Sequence, residues 1–95
     1  MVIEIAQVAV LQGHEQAFEE ALATAVESVL SQAHGCIEFT GVGWCVERPD
    51  VFCFTIAWET LEDHTVGFRE SDLFVQWRGL IGPHFASAPI VEHFS

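Results

Sequence analysis

Residues 58–78, WETLEDHTVGFRESDLFVQWR, contain the junction that decides the fold predicted for the whole chain. They hold two of the three tryptophans, two of the three arginines and a central histidine, His64. His64 follows Trp58 by six positions, a spacing that fits the end of a strand running directly into a short helix. No other stretch brings so many large aromatic and polar side chains together, and strand ends are where proteins often place ligands.

The helix after this junction begins with the signature T-x-x-D, which predicts Thr60 as its N-cap and Asp63 in its first turn. Leu61, His64 and Phe68 then recur at three- and four-residue spacing, so they are expected to share one face. His64 is therefore predicted to face inward beside Phe68.

The same helix is predicted to be split, because Ser71 and Asp72 form a second N-cap pair. Gly82 and Pro83 end the restarted helix. Its inner stripe consists of Phe74, Trp77, Arg78 and Ile81.

Strands are predicted on both sides of this split helix. The remaining elements are strands at residues 2–11, 36–47, 51–59 and 89–94 and a first helix at residues 14–33. The order is therefore βαββαβ, which is the ferredoxin-like α+β arrangement with both helices on one face of an antiparallel sheet.

The other face of the sheet is also expected to be apolar. It is predicted to carry at least one aromatic row, such as the one formed by Phe52, Phe54, Ile56 and Trp58. A large exposed apolar surface is unusual on a soluble monomer. We therefore expect this face either to pair with a second sheet in a homodimer or to line a ligand cavity, and separate faces can serve both purposes.

The composition narrows the classes of partner. The chain has 95 residues, which predicts one domain spanning 1–95. Its net charge is −11, with fourteen acidic residues, three arginines and no lysine. This balance argues against nucleic acid and against anionic membrane surfaces, since both bind clustered cations.

The three cysteines are Cys36, Cys45 and Cys53, an odd number without CxxC spacing, so no disulfide framework is expected. A reducing cytoplasm is the predicted location. The chain also has no apolar run of membrane-spanning length and no N-terminal basic region followed by an apolar core.

Trp58, His64 and Arg78 are the side chains best suited to chemistry, and each has a structural alternative. Trp58 is either a ligand donor at a strand end or an ordinary core tryptophan. His64 is either an acid, base or hydrogen-bond donor, or a core histidine satisfied by a backbone carbonyl. Arg78 either pairs with one of the fourteen carboxylates or stabilises a substrate oxyanion.

His84 and His93 are weaker candidates, because neither has a partner at metal-ligand spacing. The chain also lacks a Ser-His-Asp signature, a glycine-rich phosphate loop and a covalent cofactor motif. We therefore expect no metal and no cofactor. His14 is expected to be a solvated residue at a helix start.

The segment WETLEDHTVGFRESDLF resembles the antibiotic biosynthesis monooxygenase domain, and the resemblance extends over nearly the whole chain. The first strand, Gly13 and the helix with Phe18 also match this pattern. The most specific positions are Trp58, Glu59, Thr60, His64, Phe68, Ser71 and Phe74. The resemblance implies a dimeric α+β barrel in which each subunit has a pocket between its sheet and its helices.

Members of this family include cofactor-free oxygenases that convert phenolic or hydroquinone-type polycyclic compounds to quinones. The resemblance thus implies a small aromatic or apolar ligand, with His64 as base or donor, Arg78 as anion stabiliser and Trp58 as wall and donor. His64 stands where polyketide-oxidising members have a tyrosine, and Phe54 where they have an asparagine. The residues expected to contact substrate are Phe54, Phe68, Phe74, Trp77 and His84.

Other members degrade haem with a first-strand asparagine, the tryptophan and a helix histidine. Here Ala6 or Gln7 occupies the strand position and Arg78 the histidine position, which argues against haem degradation. Two alternatives stay open. One is a non-catalytic dimeric module that binds an apolar ligand or is associated with stress; the other is an isomerase or decarboxylase on the same fold.

Overall fold

The computed structural model describes residues 1–95 and contains one four-stranded sheet with two α-helices. A π-helical turn, Asp63–Phe68, precedes the second α-helix, and 3₁₀ turns follow both α-helices at Leu30–Gln32 and Gly82–His84. The elements in chain order are β1 Val2–Ala9, α1 Glu15–Ser28, β2 Cys36–Trp44, β3 Val51–Trp58, α2 Asp72–Ile81 and β4 Ile90–Phe94.

The strand order β2-β3-β1-β4, with every pairing antiparallel, is the ferredoxin-like topology and confirms the predicted α+β fold. The strands and α1 are shorter than predicted. The helix predicted to reach residue 33 leaves α-geometry after Ser28 and finishes as the 3₁₀ turn. None of the helices combines the length and the apolarity that crossing a membrane requires.

The prediction of a split second helix is confirmed. Thr60 Oγ accepts the backbone N–H of Asp63 at 3.1 Å, as the N-cap signature requires. The turn is wider than an α-turn, because the Arg69 N–H reaches back five residues to the His64 carbonyl at 3.0 Å. This geometry buries His64 and Phe68, whereas Leu61, predicted on the same face, is 40% exposed.

The aromatic row of β3 faces the helices, so its assignment to the uncovered side of the sheet was wrong. Phe52, Phe54, Ile56 and Trp58 are all buried in the core beneath α1 and α2. Period-two alternation identifies the members of a row, but it does not indicate which row the helices cover.

The opposite side of the sheet carries no second layer, and we call it the bare face. Side chains alternate along a strand, so it presents Ile3 and Ile5 from β1 together with Ile90 and Phe94 from β4. Ile90 is 58% exposed and Phe94 is 52% exposed. The bare face therefore carries exposed apolar side chains, aliphatic more often than aromatic, and polar ones such as Gln7, Thr55 and Glu92 lie among them.

Candidate functional site

A cavity of about 530 Å³ lies between the sheet and the α2 side of the molecule. Eleven of its seventeen lining residues are hydrophobic. Its aromatic wall consists of Phe54, Phe68, Phe74, Trp77 and Phe85. The volume and the apolar lining are those of a small-molecule site.

Polar groups meet at one part of this cavity, in a chain of three side chains from three elements. His64, from the π turn, places Nδ1 at 2.7 Å from Nε2 of His93 on β4. On its other side, His64 Nε2 lies 3.4 Å from Oε1 of Glu4 on β1. Glu4 and His93 are partners in the β1–β4 register, which is why both reach His64. We call these residues the Glu4–His64–His93 chain.

Burial sets the protonation of this chain. Burial is the largest cause that lowers the pKa of His64 to about 4, and the nearby charges of Arg69 and His93 contribute to the same lowering. Burial also raises the pKa of Glu4, while the hydrogen bond from Trp58 opposes the rise. His64 is therefore neutral near pH 7, and its contact with Glu4 joins a neutral imidazole to a carboxyl group rather than forming an ion pair.

With Glu4 ionised, the only arrangement that satisfies every hydrogen bond points each proton toward the carboxylate. His64 carries its proton on Nε2 and faces Glu4, so its Nδ1 accepts the Nε2–H of His93. The remaining nitrogen of His93, Nδ1, makes no hydrogen bond within the protein and is not buried. His93, which lines the cavity, therefore offers a free acceptor to a ligand.

Trp58 contacts two members of the Glu4–His64–His93 chain, Glu4 and His64. It is fully buried, its Nε1–H donates to Glu4 Oε1 at 2.9 Å, and its ring stacks on His64 with centroids 5.0 Å apart and an interplanar angle of 14°. Trp58 is absent from the cavity lining. In this geometry Trp58 does not form the predicted pocket wall, and Glu4 takes the N–H that was predicted for the ligand.

Arg78 lines the cavity, and no carboxylate lies within 4.0 Å of its nitrogens, so the predicted salt bridge is not formed. Its guanidinium carbon instead lies 5.4 Å from the centroid of Phe85 and 6.0 Å from that of Phe74. Arg69, a residue the sequence did not single out, also lines the cavity. The cavity is therefore lined by two cations in addition to the Glu4–His64–His93 chain.

Four of the five predicted substrate contacts, Phe54, Phe68, Phe74 and Trp77, line the cavity. His84 does not. It contacts His14 instead, with their Nδ1 atoms 3.1 Å apart, so the structure does not bring His84 together with the other predicted contacts. The same contact makes His14 a half-buried partner rather than a solvated residue.

Glu4 and Arg69 are the candidate site residues that sequence reasoning missed, whereas His93 was named as a weaker candidate. Glu4 shares the inward face of β1 with Ala6 and Val8, and a carboxylate in such an apolar row was the available signal. Of the two residues matched to the first-strand asparagine of haem-degrading members, Ala6 and Gln7, the second points to the bare face and accepts from Arg48 at 3.1 Å. No group of three or more His, Cys, Asp or Glu side chains has an arrangement that could hold a metal ion.

Comparison with known proteins shows what this chain is similar to. An uncharacterized protein of Bacillus subtilis (strain 168), YczJ, is 37% identical over 94 residues, which are 99% of this chain and 97% of that protein. A solved structure from Bordetella bronchiseptica, named as a candidate antibiotic biosynthesis monooxygenase, is 35% identical. It superposes with a TM-score of 0.92 over 99% of this chain and 94% of its own.

More distant structures share the fold alone. One from Caulobacter crescentus CB15 is 17% identical with a TM-score of 0.80, covering 98% of this chain and 86% of its own. The family model described as antibiotic biosynthesis monooxygenase matches residues 1–80. The chain therefore belongs to the antibiotic biosynthesis monooxygenase family.

Proposed function

We propose that the protein is a cofactor-independent oxygenase that oxidises a small or polycyclic aromatic hydroxy compound with O2. The observation that carries this proposal is the buried Glu4–His64–His93 chain, which ends at a free imidazole nitrogen in an aromatic-walled cavity. Family membership supports the reaction class, since the chemistry needs an apolar pocket and a base rather than a bound redox group.

The first step is removal of the substrate's hydroxyl proton. Nδ1 of His93 accepts it, the Nε2 proton of His93 passes to Nδ1 of His64, and the Nε2 proton of His64 passes to Glu4. Each histidine ends neutral, so no buried imidazolium forms where burial disfavours it. Glu4, whose pKa is raised, is suited to hold the proton.

This assignment changes the role predicted for His64. His64 lines the cavity, but both of its ring nitrogens are engaged and its side chain is 4% exposed, so it offers the ligand no free nitrogen. His93 becomes the base that contacts substrate, and His64 becomes the link to Glu4. Arg69, whose charge acts on all three members of the chain, stabilises the resulting anion.

The second step transfers electrons from the substrate anion to O2. An anthrone reacts as its enol (hydroxyanthracene) tautomer, in which the former methylene carbon keeps one hydrogen and the hydroxyl proton is the one removed. A carbon–oxygen bond forms at that carbon, and the proton held by Glu4 returns through His64 and His93 to the peroxide. The oxygen–oxygen bond then breaks, the last hydrogen on that carbon leaves as a proton, and a quinone and water are released. One atom of O2 is retained and the other becomes water, so atoms and electrons balance without a further reductant.

The proposal is tested with ¹⁸O2 and a panel of anthrones and naphthohydroquinones. Consumption of O2, with one labelled oxygen in an anthrone-derived quinone, is the expected result. A buffer-only reaction corrects for spontaneous oxidation. If no panel member reacts faster with protein, and native mass spectrometry shows a tightly held apolar ligand, the non-catalytic binding module is the better account.

We also propose that two copies of the chain pack through their bare faces to complete the dimeric barrel. Each bare face presents aliphatic and aromatic side chains that no part of the same chain covers, including Ile90 and Phe94. Burial of such a surface is what stabilises a homodimer. The cavity lies on the other side of the sheet, so each subunit keeps its own site.

A further inference from the structure

Positive charge is concentrated at the cavity of an otherwise acidic protein. The chain has only three arginines and no lysine against fourteen acidic residues, and two of these arginines, Arg69 and Arg78, line the cavity. The third, Arg48, donates to Gln7 on the opposite side of the sheet. None of the three has a carboxylate within 4.0 Å of its nitrogens. Cations left unpaired among so many acids are available to an anionic ligand.

Arg78 is held in place without using its hydrogen-bond donors. Its guanidinium lies near the rings of both Phe74 and Phe85, within the distance range of cation–π contacts. No side-chain hydrogen bond involves Arg78. A guanidinium positioned by aromatic rings keeps its planar set of N–H groups free, and that set matches the two oxygens of a carboxylate.

Arg78 and Arg69 occupy different parts of the cavity. The charge of Arg69 reaches Glu4, His64 and His93, where it lowers the pKa of each group. Arg78 has no such influence. It lies on α2, is exposed to solvent, and has Phe85 of the following segment near its guanidinium. A ligand with its hydroxyl at His93 therefore meets Arg78 with another of its substituents.

We propose that the ligand is an aromatic carboxylate, with its carboxylate paired to the guanidinium of Arg78 and its ring against the Phe54 and Trp77 wall. The position of its hydroxyl at His93 rests on the proposed function, but the carboxylate pairing needs no turnover. The repulsive field of the acidic surface makes this pairing selective, since an anion is favoured only where the arginines neutralise it.

Calorimetric titration tests the pairing with a hydroxynaphthoate whose hydroxyl and carboxylate lie on opposite rings, and with its carboxamide. Wild type should bind the acid about tenfold or more tightly than the amide, as a charge-assisted bidentate pair predicts. Arg78→Gln should remove this preference by weakening the acid alone. Arg78→Lys should restore part of it, because the charge returns without the planar donor geometry.

Arg48→Gln is the matched control, since it removes the same charge from the other side of the sheet. It should leave both affinities unchanged. The proposal would be overturned if wild type bound the acid and the amide equally well, or bound neither. It would also be overturned if Arg48→Gln lost as much affinity for the acid as Arg78→Gln. Because binding is measured without O2 consumption, a protein that binds the acid as predicted but oxidises nothing refutes the oxygenase function and leaves this inference standing.

Discussion

Glu4 is the residue on which the site depends most. It is 5% exposed, yet its Oε1 receives the Trp58 N–H at 2.9 Å and lies 3.4 Å from His64 Nε2. A buried carboxylate is tolerated when such donors replace the lost water. Burial destabilises the ionised carboxylate of Glu4, and for the same reason it raises the pKa of Glu4. The residue that is costly to bury is therefore also the one suited to hold a proton.

Removing the indole N–H of Trp58 should lower the stability of the folded protein. Trp58→Phe is expected to lose about 1–3 kcal/mol of stability, because a buried carboxylate then lacks a donor. Trp44→Phe is the matched control, since Trp44 donates to the exposed Glu19 at 3.3 Å and should lose less. Urea unfolding of both variants measures the difference in their free energies of unfolding. Equal losses of stability would show that the hydrogen bond to Glu4 stabilises the protein no more than the exposed one to Glu19.

Stability should depend on pH through His64. Its folded pKa of about 4 lies below the ordinary value of 6.5, so between these values the unfolded chain binds the proton and the folded protein does not. The His64 contribution to stability therefore rises with pH across this window, by up to about 3 kcal/mol at about 1.4 kcal/mol per pKa unit. Glu4 contributes to the pH dependence of stability with the opposite sign. Its pKa is raised in the folded protein, so as pH falls the folded protein binds this proton before the unfolded chain does.

The comparison of wild type with His64→Gln isolates the histidine, since Glu4 is present in both. Urea unfolding from pH 4 to pH 7 should show a shallower rise for the variant. Superimposable curves would mean that His64 is not held neutral by burial.

At the scale of elements, the π turn places His64 against Glu4 and His93 of the sheet. Gly35, in the connection to β2, permits this close approach, because a Cβ there would collide with the side chain of Asp63 at the start of the turn. Gly35 also has a φ of +79°, which side chains other than glycine's rarely adopt. The π turn can therefore pack against the connection after α1 only if residue 35 has no side chain.

Gly35→Ala should therefore cost more than a backbone effect alone. Gly13 has a similar φ of +86°, but a Cβ there meets nothing within 4 Å, so Gly13→Ala measures the conformational cost by itself. We expect a loss of about 1 kcal/mol for Gly13→Ala and roughly 2–3 kcal/mol for Gly35→Ala. Equal unfolding midpoints for the two variants would indicate that Asp63 moves aside freely.

Much of the element order could be predicted from the sequence, because the capping signal at Thr60 and the alternation in β3 are local. The Glu4–His93 pairing could not, since it depends on the register of β1 against β4, which are distant in the chain. Likewise, His64 was recognised from its spacing to Trp58, but the engagement of both its nitrogens depends on two other strands. Burial of Arg78 was overestimated because the helix pattern does not show where a cavity interrupts the core.

At the scale of the whole molecule, the bare face should mediate dimerisation. Ile5→Lys would place a charge in the middle of that face and should yield monomers, whereas Val75→Lys, on the exposed side of α2, should not. Light scattering coupled to gel filtration distinguishes one chain of 10.5 kDa from two. A wild-type mass of a single chain would contradict the proposed assembly.

The central claim is that the Glu4–His64–His93 chain takes the substrate's proton so that its anion can reduce O2. The most direct measurement is the rate of O2 uptake by wild type, His93→Gln and His84→Gln on a responsive anthrone. His93→Gln keeps a donor for His64 but cannot accept the proton, so its rate should fall at least about 100-fold. His84→Gln, outside the cavity, should keep the wild-type rate. Equal rates for all three proteins would contradict the account.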